Sequence, residues 1–503
     1  MSYGSNGSVI GPDNVPASSG APGVWSLAEV AEARRDGVWP MPEFGWIAAY
    51  DIDTDGNATY GRALAIDSAD KIYFSGYMNG LPKPWVMEVD VDGAYQEAVY
   101  VASPSATRID PWYDTLLIDS SDDLYIAGRY RNDNYSGRES LSIWKLNSAL
   151  AGATQFAVYI RYSTWETYRN ATAVSPGLSQ DFYANGNFGW HQTINNEAGQ
   201  YRTEVFYGIC NSSGSPSSAR NMYYGYGQNL ESRAISGNNT DSWCAWTNPS
   251  HGTAILGMSN LSGTKYGYYG PVSGGQYRKP SKVVLIEGDD TGSSSDLIAG
   301  ISWNNGAFGL MKFAKSNGTI AWQRELRLGS GATLASGSAG VGPIRDSSGN
   351  LYVAWTAYNS EGVDGSNFRT NWAKYNSSGV FQFARSMTQY TNPGSGASVY
   401  GIAIDDAEEN ITLLCQTGVY NQQNLFTVPL NGDGTTGSGT VTGASGATQW
   451  RYETLTYTDN AGTASLTNVT WTNNSITMAS GNVTAETFAD AASIDDYAVG
   501  GLS

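Results

Sequence analysis

Only three cysteines and two histidines occur in 503 residues, and 15% of the chain is charged. Cys210, Cys244 and Cys415 are odd in number and far apart, which excludes a disulfide framework and a C-x-x-C zinc site. They sit in apolar, strand-like runs and read as buried thiols. His191 and His251 stand among polar neighbours and read as surface or loop side chains, not catalytic bases. Without histidine, catalysis would rest on carboxylates, as in glycosidases. The acidic pairs Asp289-Asp290, Asp405-Asp406 and Glu408-Glu409 fall in turns that face solvent. No G-x-S-x-G, H-E-x-x-H or phosphate-loop motif occurs. The expectation is a protein that is not an enzyme and carries no cofactor.

Basic charge is also scarce: 28 Lys and Arg stand against 46 Asp and Glu, a net charge of −18. A chain without a basic face is not expected to bind nucleic acid through phosphates or to dock on anionic lipid. No run of about 20 apolar residues is present, so membrane insertion is not expected. The opening MSYGSNGSVIGPDNVP lacks the charged start and apolar core of a signal peptide, which points to synthesis in the cytoplasm.

What the chain has in abundance is glycine (60), tyrosine (33) and tryptophan (16). Many glycines beside aromatic and β-branched residues suit short strands joined by tight turns, so the class is all-β. A repeat gives the architecture. ALAIDSADKIYFSG at 63–76, TLLIDSSDDLYIAG at 115–128, VGPIRDSSGNLYVA at 341–354 and GIAIDDAEENITLLCQTG at 401–418 share one form. Each is an apolar strand, an Asp-rich turn and a second apolar strand. A second hairpin follows each, as in GLMKFAKSNGTIAWQREL at 309–326 and NWAKYNSSGVFQFARSM at 371–387. Anchoring turns near Asp67, Asp119, Ser175, Ser236, Gly288, Asp346 and Asp405 recur at intervals of about fifty to sixty residues.

Two hairpins make a four-stranded sheet that cannot bury both faces alone, and radial stacking of such sheets gives a propeller. The expected fold is a closed β-propeller of about seven four-stranded blades over residues 44–435. The orphan run FGWIAAYD at 44–51 resembles a fourth strand, yet it precedes the first unit. It is expected to complete the last blade and close the ring, which removes exposed edges. Residues 1–43 form an arm with a short helix at 26–36, with Ser26 as N-cap, Glu29 three residues on, and Gly37 and Pro40 as stop signals. Residues 436–503 read as a Gly/Thr-rich linker that leaves the propeller and a small β extension.

Two clusters invite ligands. Asp51, Asp53 and Asp55, followed by Gly56, resemble the start of a calcium loop, but Arg62 stands where a bidentate Glu is needed. Tyr223, Tyr224, Tyr226, Tyr266, Tyr268 and Tyr269 lie in the Gly-flanked runs MYYGYGQN and KYGYYGP. Such tyrosines suit a binding surface, here for host glycan, or else wedge-filling between blades. Trp144, Trp322 and Trp372, inside strands, read as packing.

Two resemblances add to this. The units resemble bacterial propeller repeats of the A-x-D-x-x-G-N-x-Y-V-x-G type, best matched at 341–354 and 63–76. APGVWSLAEVAEARRDGVWP at 21–40 is similar to a short segment of structural proteins of tailed bacteriophages, marine ones in particular. The alternating Thr/Ser/Ala tail after Tyr452 is similar to fibre-like phage proteins. The resemblance implies a virion protein made in the host cytoplasm, a tail fibre or tail-attached adhesin. Its partners would be other virion proteins, further copies of itself and host cell-surface glycan. Trp25, Leu27, Val30 and Trp39 would anchor it to the particle. A head decoration or tail-end protein, and a secreted carbohydrate-active propeller enzyme, are the alternatives.

Overall fold

The computed structural model describes residues 46–475 except for most of the loops between strands. It is all-β, with no helix among the described residues. The expected helix at 26–36, with Trp25, Leu27, Val30 and Trp39, lies outside them.

The repeat folds into four-stranded antiparallel sheets. Blade 1 is a meander of Thr59–Ile66, Ile72–Met78, Leu81–Val89 and Tyr95–Tyr100, each strand antiparallel to the next. The inner and outer strands of the following sheets are Leu116–Ile118 and Phe156–Ile160 (blade 2), Thr172–Leu178 and Pro216–Tyr223 (blade 3), and Glu231–Ser236 and Lys265–Tyr269 (blade 4). Then come Pro280–Glu287 and Ile320–Leu328 (blade 5), and Val341–Arg345 and Phe381–Gln389 (blade 6). The last sheet runs outward through Ala397–Ile404, Asn410–Thr417 and Gln422–Pro429 and ends on the N-terminal strand Trp46–Asp51. These are seven sheets in chain order, and the inner strand of the last packs against that of the first, so the propeller is a ring.

The closing strand is held at three levels. Trp46 to Asp51 register antiparallel with Thr427 to Gln422. Tyr50 is buried, and its hydroxyl donates to the Gly93 carbonyl of blade 1 at 2.5 Å. Tyr50 also joins Leu64, Phe74, Trp85, Met87, Leu414 and Leu425 in the cluster between blades 7 and 1. At the other end of that seam, the Arg62 guanidinium lies over the rings of Tyr400, Tyr77 and Tyr60 at 4.9, 5.3 and 5.9 Å. Bulges at Gly61/Ala63 and Val399/Gly401 aim Arg62 and Tyr400 at each other.

Apolar clusters of this kind fill six of the seams. The seam between blades 3 and 4 carries polar bridges, with Ile235 of blade 4 packed close to Gly189 of blade 3. The Ser232 N–H donates to Thr193 Oγ1 at 2.6 Å, and Ser242 Oγ donates to the Tyr183 hydroxyl at 3.0 Å.

The repeat turns explain the Asp-Ser-x-Asp/Gly signature. Asp67 Oδ1 accepts the N–H of Ala69 and Lys71, and Asp119 Oδ1 accepts those of Ser121 and Asp123. Asp346 and Asp405 cap their turns in the same way through Asn350 and Asn410. The fourth turn residue is left-handed, with φ 61° at Asp70, 60° at Asp122, 81° at Gly349 and 53° at Glu408. One unit departs from the reading. Ser175 is no turn; it sits within Thr172–Leu178, between Val174 and Gly177 where the register shifts. A bulge there imitates the turn signal, and the real hairpin of blade 3 closes around Tyr183 to Asn187.

The C-terminal segment does not leave the propeller. Gly439–Thr442 pairs with Gln449–Glu453, which adds to the outer strand of blade 6. Tyr457–Ala461 then adds to the outer strand of blade 5, Ser465–Thr467 to blade 4, and Thr472–Ser475 to blade 3, all antiparallel. The chain returns as a belt, giving these blades a fifth strand. Sheet twist explains how. Neighbouring strands rotate by roughly 20–25°, so a blade's outer edge turns far from its axial inner strand and toward the circumference. A strand on that edge points to the next blade, which a short link can reach.

Candidate functional site

The inner strands enclose a cavity of about 550 Å³ on the ring axis. Every blade contributes to its wall: Leu64, Leu116 and Ile118, Tyr183, Ser236, Glu287, Arg345, and Ile404. Many of the lining side chains are aliphatic, but the surface presented to the cavity, backbone included, is mainly polar. Its polar side chains include Ser120, Ser236, Glu287 and Arg345, and the Glu287 carboxylate is ion-paired with Lys315. The Tyr183 phenol is buried, and burial pushes its pKa up, so it stays neutral and serves as a hydrogen-bond group. A second, narrower space of about 50 Å³ is lined by His191, Arg233 and Tyr400.

His191 is therefore not a surface or loop side chain. It lies in the strand Phe188–Asn196, is 5% exposed, and packs against Gly177, whose missing Cβ leaves it room. Its polar neighbours misled the reading because they are buried too: Gln192 Oε1 accepts the Leu141 N–H of blade 2 at 2.9 Å. His251 lies outside the described residues. Cys210, Cys244 and Cys415 are buried as expected, and burial raises all three thiols, which disfavours the reactive thiolate.

The tyrosines have a structural use that sequence reasoning split evenly with binding. At six seams a side chain of one blade donates to a carbonyl in the outermost hairpin turn of the next. Tyr50, Tyr73, Tyr125, Tyr207 and Tyr268 reach Gly93, Ser148, Ser212, Asn260 and Gly318, and Arg324 Nε reaches Gly379. Two surface clasps repeat the theme: Asp122 accepts both Ser68 N–H and Oγ, and Glu408 does the same for Ser347.

Tyr268 is thus corrected from candidate glycan contact to seam residue. It is fully buried in the cluster between blades 4 and 5, with its hydroxyl 3.0 Å from the Gly318 oxygen. Tyr266 stacks on Trp243 at 5.4 Å and donates to the Lys315 carbonyl at 2.8 Å. The glycines beside them suggested a loop, yet Gly267 pairs with Gly257 in the ladder. Tyr268→Ala is expected to cost about 3–5 kcal/mol and Tyr268→Phe about 1 kcal/mol in urea unfolding. An unchanged midpoint for the alanine variant would return Tyr268 to the surface. Tyr223 and Tyr269 end outer strands, and Tyr224 and Tyr226 lie outside the described residues. So do Asp53 and Asp55 of the calcium-like string; Asp51 ends the closing strand, and no metal-holding cluster occurs among the described residues.

Blade 2 is tuned by charge. Burial acts to raise the Asp119 carboxyl, but Lys145 Nζ at 2.9 Å and the N–H groups of Ser121 and Asp123 outweigh it and hold its pKa below the ordinary 3.8. A depressed acid contributes stability present above about pH 4 and lost as the pH falls through its folded value. Lys145→Met is therefore expected to lower the urea midpoint at neutral pH. Its curve should approach that of the unmodified protein as the pH falls through the lowered Asp119 value and the carboxyl is protonated in both.

No family model and no curated protein matches the chain. Among solved structures it is similar to a Hadza microbial sialidase at 8% identity and TM-score 0.42, covering 76% of this chain and 68% of that one. It is similar also to a catalytically inactive virginiamycin B lyase from Staphylococcus aureus with quinupristin (11% identity, TM-score 0.37, covering 76% of this chain and 99% of that one). A member of the DUF4221 family from Bacteroides vulgatus matches at 9% identity and TM-score 0.33, covering 76% of this chain and 95% of that one.

Proposed function

We propose that this chain is a structural protein of a tailed phage particle, a tail fibre or tail-attached adhesin that works by binding and not by catalysis. The observation that carries the reading is the use of its polar side chains. The repeat aspartates cap their own turns, and five tyrosines stitch blade to blade. Among the residues lining the axial cavity Glu287 is the one carboxylate, and it is tied to Lys315. A stitched ring of this kind suits a rigid platform that presents loops. The segment 21–40, similar to phage structural proteins, supports particle attachment through Trp25, Leu27, Val30 and Trp39.

Host contact falls to the segment following the outer strand of blade 3, with Tyr223, which ends that strand, and Tyr224 and Tyr226, next in the sequence, as the contact tyrosines. Weak sugar stacking there gains strength from many copies on one particle, by roughly 10²–10⁴ in avidity. Mass spectrometry of purified particles, with labelled-antibody imaging, tests the proposal. The chain is expected in the particles with label on the tail; its absence from clean particles would sink it. Trp25→Ala with Trp39→Ala should leave melting unchanged and block incorporation.

A further inference from the structure

We infer that the outer strands of blades 2 and 1, Phe156–Ile160 and Tyr95–Tyr100, are docking edges for residues 476–503 of the same chain, which carry the belt past blade 3. The belt visits blades 6, 5, 4 and 3 in order, always antiparallel to the outer strand it joins. Its strands begin at Gln449, Tyr457, Ser465 and Thr472, a regular advance of about eight residues per blade. Continued at that pace, the next strand falls near 480–483 on blade 2 and the following one near 488–491 on blade 1. Residues 476–503 are long enough for both.

The receiving edges favour this occupant. Among the described residues Phe156–Ile160 and Tyr95–Tyr100 are the outermost strands of their sheets. Phe156–Ile160 reads FAVYI, five apolar residues in a row, and natural proteins cover such an edge because it otherwise pairs with another chain. The covered outer strands of blades 3 and 6, PSSARNMY and FQFARSMTQ, are more polar, so blade 2 has the greater need. The twist that points each belt strand at the next blade acts equally at blade 3.

A disulfide trap in the full chain tests the docking. Cysteine is placed at Val158 together with Ser480, Asn482 or Thr484 in three separate double variants. The three native cysteines are buried and do not compete. At least one pair is expected to close within a monomeric chain under mild oxidation. In parallel, Asn482→Pro should speed hydrogen exchange at Phe156–Ile160 by about tenfold, with exchange in the second strand of blade 2, Leu124–Asn132, unchanged. A disulfide between two chains would overturn the inference by making a second copy the occupant. Failure of all three pairs to close would overturn it as well, as would unchanged exchange at Phe156–Ile160.

Discussion

Deleting residues 1–51 is expected to turn a soluble, cooperatively unfolding ring into aggregating material. The deletion removes six residue pairs with Gln422 to Thr427 and bares the strand QQNLFTVP as an open edge. It also takes away Tyr50, which fills the cluster between blades 7 and 1. Finer variants separate these losses. Tyr50→Phe removes only the bond to Gly93 and should cost about 1 kcal/mol. Tyr50→Ala leaves a hole in the cluster as well and should cost about 3–5 kcal/mol. Ala48→Pro, opposite Leu425, should interrupt the ladder without touching the buried ring. Light scattering and urea unfolding measure all four. A deletion variant that stays monomeric and unfolds in one transition at the unmodified midpoint would show that the ring closes without this strand.

The second large effect is expected at a glycine. Gly257 pairs with Trp246 across two strands of blade 4, and a Cβ built on it would meet the indole at 1.9 Å. Trp246 is fully buried and cannot swing aside. Gly257→Ala should therefore sit at the upper end of overpacking costs, about 3 kcal/mol. The same cross-strand arrangement joins Gly76 with Trp85 and Gly208 with Trp190. Combining Gly257→Ala with Trp246→Leu should cost less than the sum of the two single changes, because the leucine vacates the space the new methyl needs. Strict additivity in urea unfolding would mean that the strands part instead, and that the indole is not what excludes the side chain.

Local signals made most of the ring legible. An Asp-Ser-x-Asp turn states its own hydrogen bonds, so the hairpins at Asp67, Asp119, Asp346 and Asp405 could be placed from sequence. The closing strand could be placed as well, since a fourth-strand pattern ahead of the first unit has one open blade to join. What failed was non-local or turned on polarity. Gln192 and Thr193, beside the buried His191, lie inside blade 3 with partners in blades 2 and 4, Leu141 and Ser232, and no sequence window contains those partners. Tyr266 and Tyr268 read equally as binding-surface or wedge-filling residues, because the sequence does not show that Gly267 is a ladder position opposite Gly257. The belt was read as strands without a home. Its Thr/Ser/Asn alternation marks a strand, but the partner lies more than sixty residues away in blade 6 and far further in blade 3.

Ring closure also sets an order of events at the ribosome. The strand Trp46–Asp51 is made ahead of blade 1, while its partner Gln422–Pro429 follows about 370 residues later. At about 5–20 residues per second, the early strand waits for roughly 20–75 s before its ladder can form. Blades 1 to 6 can collapse in turn as local meanders during that interval, each nucleating on the one before. The belt strands are made after Pro429, so they reach blades already assembled and act as a late clamp. The ring thus assembles from its middle outward, and the closing strand and the belt, which join it last, decide whether it stays shut.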